Sequence, residues 1–310
     1  MTGPMLQGGL NPQGGLAPVP LTYPRRRKRI RGSSVAVFVF LAMVAAFMAI
    51  PLYVVVVTSF KPIGEITLGK IFALPVIWTI EPWFKAWNEM CTGLSCDGIK
   101  IGFFNSIKIL FPSLILSIGI SAVTGYALAL WNVRWAGPFL FVLFICAFVP
   151  FQIIMIPLIV VVANLGIYGT VWAIALVHSV LAMPLLTLIF RNFYKDIPRE
   201  LINAAIMDSG SFWRIFREIV LPMSGNIMVV VLILMITTVW NDYLVGLTFG
   251  GIGSKPMTVI LANSVITSRG EVVHNVNMAA ALLTAIPPLV VYFALGRFFV
   301  QGITAGAIKG

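Results

Sequence analysis

Apolar residues run along this chain in six long blocks separated by polar stretches, near 34–58, 103–130, 138–163, 169–190, 226–249 and 277–299. Crossing a bilayer takes roughly 20 mostly apolar residues, so each block is long enough for one spanning helix. The fourth, fifth and sixth are the clearest, and the third is interrupted by Pro150, Gln152 and Pro157. The pattern predicts an all-α, polytopic membrane protein with six transmembrane helices. Polar loops fall near 61–102 and 250–276. Met1–Pro24 is rich in Gly, Pro and Gln and is read as disordered. The domain division is a disordered basic tail over 1–32 and a transmembrane domain over 33–310.

One polar interruption differs from the others. Lys195–Pro222 reads KDIPRELINAAIMDSGSFWRIFREIVLP. Asp196 and Pro198 are helix-start signals, because an early Pro gives up only a donor that lacks a partner anyway. Leu201, Ala204, Ala205 and Asp208 then share one helical face. That face is small enough for another protein's backbone to approach closely. Ser209-Gly210 ends the helix, and Ser211 is placed to cap a second one carrying Phe212, Trp213, Phe216 and Ile219 until Pro222 stops it. An amphipathic helix lying on the membrane surface fits the same spacing.

Composition agrees with the membrane reading. The chain of 310 residues is 59% hydrophobic and 10% charged, with mean hydropathy +1.00, whereas soluble domains are about half apolar and a quarter charged. The net charge of +11 invites a nucleic-acid partner, but six of the 21 basic residues sit in Arg25–Arg31 beside the first apolar block. That is a cytoplasmic flank, not a nucleic-acid face. The apolar run after it is of full spanning length and carries no small-residue cleavage site, so no cleavable signal is read. With the N-terminus inside, 14 of the 21 basic residues fall on the cytoplasmic side and 7 outside. Both termini and the 195–222 loop are therefore predicted to be cytoplasmic.

Candidate chemistry is sparse. No phosphate loop of the GK[ST] type is present, and no catalytic Ser/His/Asp arrangement or metal-ligand spacing is legible. His178, inside a span, is read chiefly as a packed or hydrogen-bonded residue, with a pathway role as the lesser reading. His274 stands far from it. Cys91 and Cys96 in CTGLSCDG are near enough for a disulfide-closed turn, with two free thiols as the alternative, and Cys146 is read as packing. Trp240-Asn241-Asp242-Tyr243 sets an amide and a carboxylate toward one end of the fifth span. Asn241 and Asp242 are pathway candidates, against a solvated interface with Trp240 and Tyr243 in an aromatic belt. Gln152, between Pro150 and Pro157 where a helix loses backbone bonds, is the third pathway candidate.

The loop NAAIMDSGSFWRIFREIVLP resembles the EAA loop of ATP-binding-cassette importer permeases, whose pattern is roughly EAA, then DGA three residues on, then a hydrophobic helix ending in LP. Ala204, Ala205, Asp208, Leu221 and Pro222 match it, Asn203 stands where Glu is usual, and Ser209-Gly210 replace Gly-Ala. VPFQIIMIPL, WNDYL, KPMTV and the tail GITAGAIKG are similar to the carbohydrate branch, on the side of the maltose-type second permease. Within that branch CTGLSCDG and SKPMTV look most similar to glucose/mannose-type permeases. The likeness runs from about residue 30 to the C-terminus.

The resemblance implies a permease subunit of an ATP-driven sugar importer in the cell inner membrane, forming half of a translocation path. Its implied partners are a second permease, two ATP-binding cassette subunits and an extracytoplasmic sugar-binding protein. Nucleotide is then bound by the cassettes, so this chain needs no cofactor, has no catalytic or metal residues and is no enzyme. Asn203, Ala204, Ala205, Asp208, Ser209 and Gly210 become an elbow docked in the ATPase cleft, with Phe212, Phe216 and Pro222 anchoring it to the bundle. Asn203 removes a carboxylate that can pair with a basic residue of the ATPase, which touches the charge part of that contact and not the packing part. The tail Gly302–Gly310 is implied to reach toward the ATPase pair, and loop 250–276 to enter the binding protein. The implied cargo is a monosaccharide such as glucose or mannose, with a maltose- or trehalose-type oligosaccharide as the alternative. An ion-coupled secondary transporter is a further alternative, but it requires inverted repeats or a relay of intramembrane acids. No internal repeat is visible, and Asp242 is the lone acid near a span's interior. A structural or signalling membrane protein has no use for such an elbow.

Overall fold

The structure, a computed structural model, describes residues 32–92, 95–266 and 273–307. The expected disordered tail with its basic block up to Arg31, the loop tip 267–272 and the final residues 308–310 lie outside the described residues. Residues up to Ile50 and those from Pro51 onward form separate units. Helix α1 is Gly32–Ser59, apolar along its length. The second unit is built on α4 (Lys100–Leu130), α7 (Val171–Lys195), α10 (Gly225–Trp240) and α13 (His274–Ala307).

Why α4 and α7 pair is written in α4's sequence. Ser113, Ser117, Ser121 and Gly125 recur every fourth residue, and all four are buried. Lipid tails are as apolar as Leu, so helices in a bilayer gain little by burying oily side chains. Small residues that let backbones approach are what hold them together. At Gly125 a Cβ atom would stand 2.8 Å from Phe190 Cβ and 2.9 Å from the Arg191 backbone nitrogen. The serines do not leave polar groups stranded in this seam. Ser113 donates to the Ile109 carbonyl (2.7 Å) and Ser117 to the Ser113 carbonyl (2.6 Å). Across the seam Ser179 donates to Ala175 (2.8 Å). These three hydroxyls fold back onto their own helices one turn earlier, and two longer bonds cross the seam, from Ser121 to the Met183 carbonyl and from Ser179 to the Ser113 carbonyl (both 3.5 Å).

Among the described residues, four unbroken helices are long and apolar enough to cross a membrane, and two bent pairs bring the number to six if each pair counts as one span. The expected single third span is one of these. It comprises α5 (Ala136–Cys146) and α6 (Phe151–Asn164), bent by 106°. Pro150 cannot donate to the turn before it, and its own ψ of 133° is extended, so the helix stops and restarts. The fifth span also differs from expectation. Helix α10 ends at Trp240, and the chain resumes as the short α11 (Leu244–Phe249). Asn241, Asp242 and Tyr243 therefore sit in a break, not inside a helix. Trp240 does not belong to a belt either. Its ring is buried and its Nε1–H donates to the Thr284 carbonyl at 2.9 Å.

The polar loops 61–102 and 250–276 are more ordered than their composition suggested. The 61–102 stretch carries α2 (Ile63–Thr67) and α3 (Glu81–Asn88), and a Cys91–Cys96 disulfide closes the turn after α3. The Met90 and Ala86 carbonyls take up the Gly98 and Ile99 N–H groups (both 3.0 Å). The 250–276 stretch carries α12 (Met257–Ile266), whose Met257 and Val259 are fully buried. Its start is fastened to α4: Asn105 Nδ2 donates to the Gly253 and Lys255 carbonyls (3.0 and 3.1 Å), and the Met257 N–H donates to Ser106 Oγ (2.9 Å). Gly169, at φ +79°, accepts the Gly251 N–H (3.1 Å) and donates to the Phe249 carbonyl (3.2 Å), tying the turn before α7 to the end of α11. Cys146, expected to pack, is instead exposed at the end of α5.

Gly119 and Gly125 on the same helix give a direct test of the seam, because a Cβ at Gly119 meets nothing within 4 Å. Gly125→Ala is expected to cost about 1–3 kcal/mol through overpacking, while Gly119→Ala is neutral or stabilising by up to about 1 kcal/mol. Thermal denaturation of the two variants in detergent measures the difference. For the disulfide, unreduced denatured protein should take up one maleimide, at Cys146, and all three cysteines should react after reduction.

Candidate functional site

The loop after α7 folds into two short helices at a sharp corner. Helix α8 is Arg199–Ser209, and α9 is Phe212–Met223. Pro198 stands at the N-cap of α8, and Gly210 ends it in the left-handed region at φ +59°, where Gly carries no Cβ penalty. Ser211 occupies the N-cap position of α9 but makes no side-chain capping bond. Nor does Pro222 end α9. The turn before it, Phe216–Val220, widens to a π-helix, which accommodates a proline with no N–H to offer, and the helix runs one residue further.

The two faces of α8 differ sharply. Ile202 is buried and Ala205 is half-buried against the core, whereas Asn203, Ala204 and Asp208 are exposed and Met207 is 89% exposed. Of the four residues expected on one small face, Leu201, Ala204 and Asp208 face out and Ala205 leans inward. Gly210 is exposed, as is Pro222, which therefore makes no buried anchor. The side chain of Ser209 lies outside the described ones.

The anchors of the corner are aromatic. Tyr126 of α4 is fully buried, with its ring 4.7 Å from Phe212 and 5.3 Å from Phe216 between centroids. Its hydroxyl donates to the Phe212 carbonyl at 3.2 Å. Trp131 stands 5.2 Å from Phe212, and Tyr194 meets Tyr126 edge-on at 6.5 Å. The elbow thus rests on the ends of both seam helices. Tyr126 was not singled out in the sequence. Its signal was its place immediately after the last small residue of the 113–125 repeat.

A second candidate site lies between α7 and α10. A cleft of about 310 Å³ is walled by Leu181, Ala182, Leu185, Met235 and Phe151, and its polar side chains are His178, Thr238 and Asp242. Asp242 is held from two sides. Its Oδ2 accepts the Gly246 N–H at 2.9 Å, and its own carbonyl accepts a short hydrogen bond from the Thr258 hydroxyl. Gly246 has to be glycine, since a Cβ there would run into Pro256. His178 is 5% exposed, and its Nε2 stands 3.7 Å from Asp242 Oδ2. Gln152 and Asn241 are exposed and do not line the cleft. Of the three pathway candidates, only Asp242 does. A larger groove of about 1070 Å³ lies beside Lys61. There the buried Lys61 ammonium donates to the Lys70 carbonyl (2.9 Å), and Asn275 Nδ2 donates to the Lys61 carbonyl (2.9 Å).

Comparison with known proteins bears on the whole arrangement. The family described as "Binding-protein-dependent transport system inner membrane component" matches residues 105–305, which include both candidate sites. A probable ABC transporter permease protein of Pyrococcus horikoshii is 40% identical over 166 residues, 53% of this chain and 59% of that protein. The alpha-glucoside transport system permease protein of Rhizobium meliloti is 33% identical over 224 residues, 70% of this chain and 58% of that protein. The chain thus spans less than two thirds of the length of either relative. Among solved structures, a bacterial ABC transporter involved in the import of the acidic polysaccharide alginate contains a chain matched with TM-score 0.76. That match is at 18% identity and covers 89% of this chain and 100% of the other. It shows a shared fold.

The aromatic seat is testable without a transport assay. Tyr126→Phe removes one hydrogen bond and should cost about 0.5–1.5 kcal/mol, whereas Tyr126→Ala empties the seat and should cost about 3–5 kcal/mol. Thermal unfolding in detergent separates the two. Limited proteolysis at Arg214 and Arg217 should accelerate markedly only in Tyr126→Ala.

Proposed function

Since the chain belongs to the family of binding-protein-dependent transport system inner membrane components, we propose that this multi-pass inner-membrane protein is the permease subunit of an ATP-driven sugar importer. A component of this kind is a conduit and not an enzyme. It forms half of a translocation path that a second permease completes. Two ATP-binding cassette subunits bind and hydrolyse the nucleotide, and this chain needs no cofactor of its own. An extracytoplasmic binding protein delivers the sugar. Both termini and the elbow face the cytoplasm, in keeping with the excess of basic residues there.

The single observation that carries this reading is the elbow. Helix α8 turns a face of Asn203, Ala204, Met207 and Asp208 outward while its other face is fixed to the bundle. A membrane-surface helix has no need of a rigid aromatic seat beneath it. A helix that receives a push does, because displacement of α8 then passes through Phe212 and Phe216 to Tyr126 on α4 and through Ile197 to the end of α7. Closure of the cassettes on ATP is in this way turned into movement of α4 and α7, and the path opens to alternate sides. Asn203 keeps the packing part of the contact and gives up the charge that Glu would bring.

For the cargo, the proposal is a monosaccharide such as glucose or mannose. The likeness of CTGLSCDG and SKPMTV to glucose/mannose-type permeases supports it. An oligosaccharide is the second reading, favoured by the relative named for alpha-glucoside transport.

Single cysteines at Ala204 and Met207, in a Cys146→Ser background, should cross-link to the cleft of the co-expressed ATPase. A cysteine at the buried Ile202 should not. Asp208→Arg is expected to abolish sugar uptake with normal membrane insertion. If the exposed positions fail to cross-link and uptake survives the charge reversal, α8 is a surface helix and the coupling role is lost.

A further inference from the structure

We propose that the cleft between α7 and α10 is a subsite for a single neutral sugar ring, in which Asp242 and His178 share neighbouring hydroxyl groups. The inference rests on the sugar-importer reading and adds a site within this chain's own half of the path. Four observations converge on it. At about 310 Å³, the cleft lies at the lower end of the range for small-ligand pockets. That is room for one ring and not for a chain of them. Its walls are aliphatic apart from Phe151, the one aromatic residue that lines it. Only three polar side chains enter it, and no Lys or Arg lines it, so a phosphate or a carboxylate finds no counter-charge there. Anionic solutes are disfavoured on that account alone.

The fourth observation is the gap between the polar pair. His178 Nε2 and the part-exposed Asp242 Oδ2 stand 3.7 Å apart, within ion-pair range but beyond hydrogen-bond distance. Two polar groups so placed can each engage one of two adjacent hydroxyl groups. Asp242 is not free to swing across, because the Gly246 N–H and the Thr258 hydroxyl hold it at the start of α11. A carboxylate offers about four acceptor positions, so the bond to Gly246 leaves capacity for a sugar O–H. The imidazole supplies a donor or an acceptor to the next hydroxyl, and Thr238 stands on the same wall. A site preorganised around hydroxyls discriminates strongly against solutes that lack them, because its own buried polar groups are then left unpaired.

The test uses the whole assembled transporter in proteoliposomes with saturating binding protein, and counts sugar moved per ATP hydrolysed for glucose, mannose, galactose and maltose. Three variants are compared: Asp242→Asn, which keeps an acceptor for Gly246; His178→Gln; and Ala182→Phe, which fills the cleft without touching a polar group. The expected result is a fall of about tenfold in hexose moved per ATP, with ATP hydrolysis retained and the ratio between hexose epimers changed in Asp242→Asn. A purely packing role lowers transport and hydrolysis together and leaves the epimer ratio alone, which overturns the subsite. Should one polar variant fail to insert, the other two decide. Transport of maltose but of no hexose by the wild type overturns the single-ring subsite and leaves the importer standing. Transport of none of the four sugars overturns the importer's sugar reading itself.

Discussion

Backbone proximity between α4 and α7 is the constraint on which the rest of this protein depends. In a bilayer the usual reward for burying oily side chains is absent, and what remains is contact between closely fitted surfaces. Ser113, Ser117, Ser121 and Gly125 give α4 a flat face, and α7 lies against it so tightly that one methyl group at position 125 has no room. Everything functional is hung from this pair. The elbow sits on its two adjacent ends, through Tyr126 and Trp131 on one helix and Tyr194 on the other. His178 faces the cleft from the far half of α7, and α12 is strapped to the start of α4 by Asn105 and Ser106.

This layout puts the two candidate sites at different levels of the same helix pair. A displacement at α8 reaches α7 through Ile197 and Tyr194, and the wall of the cleft is part of that helix. The opposite wall is made by α10 and the break after it, where Asp242 is pinned by α11 and Thr258 instead of by α7. The cleft is therefore bounded on one side by the element that would receive the push and on the other by one that is held separately. Changing the width of such a cleft requires no hidden lever.

Much of this was legible in the sequence. The spanning blocks, the Gly210 corner and the pairing of Cys91 with Cys96 follow from hydrophobic length, a helix-stop signal and short cysteine spacing. What escaped is of two kinds. The interruption of the third block at Pro150 was legible, though not the 106° bend it brings, whereas the break at Asn241–Tyr243 in the fifth was missed, since apolar length says nothing of continuity. Orientation within amphipathic stretches was also missed. Ala205 and Ala204 are alike in composition, yet one leans into the core and the other faces out, because the axis of α8 is set by Ile197 and Ile202 docking on the bundle. Outer loops looked polar by average, and only tertiary packing on α4 shows that Met257 and Val259 are a buried helical face. Of the pathway candidates, Asp242 lines the cleft between α7 and α10 while Gln152 and Asn241 are exposed outside it, a difference that only the fold sets.

The hydroxyl groups of the seam carry one more implication. Ser113, Ser117 and Ser179 spend their protons on carbonyls of their own helices, as do Thr237 on α10 and Thr284 on α13. The interface is thus polar in composition and only lightly bonded across, by Ser121 to the Met183 carbonyl and Ser179 to the Ser113 carbonyl, each at 3.5 Å. Two helices so joined resist being pulled apart, since that opens a void lined by polar atoms. They resist sliding far less, because translation along the seam breaks few directional bonds and exchanges one set of small contacts for another. A shear of this sort is a motion that packed helices perform cheaply, and the serines make α4 and α7 a pair that can glide while staying closed to lipid.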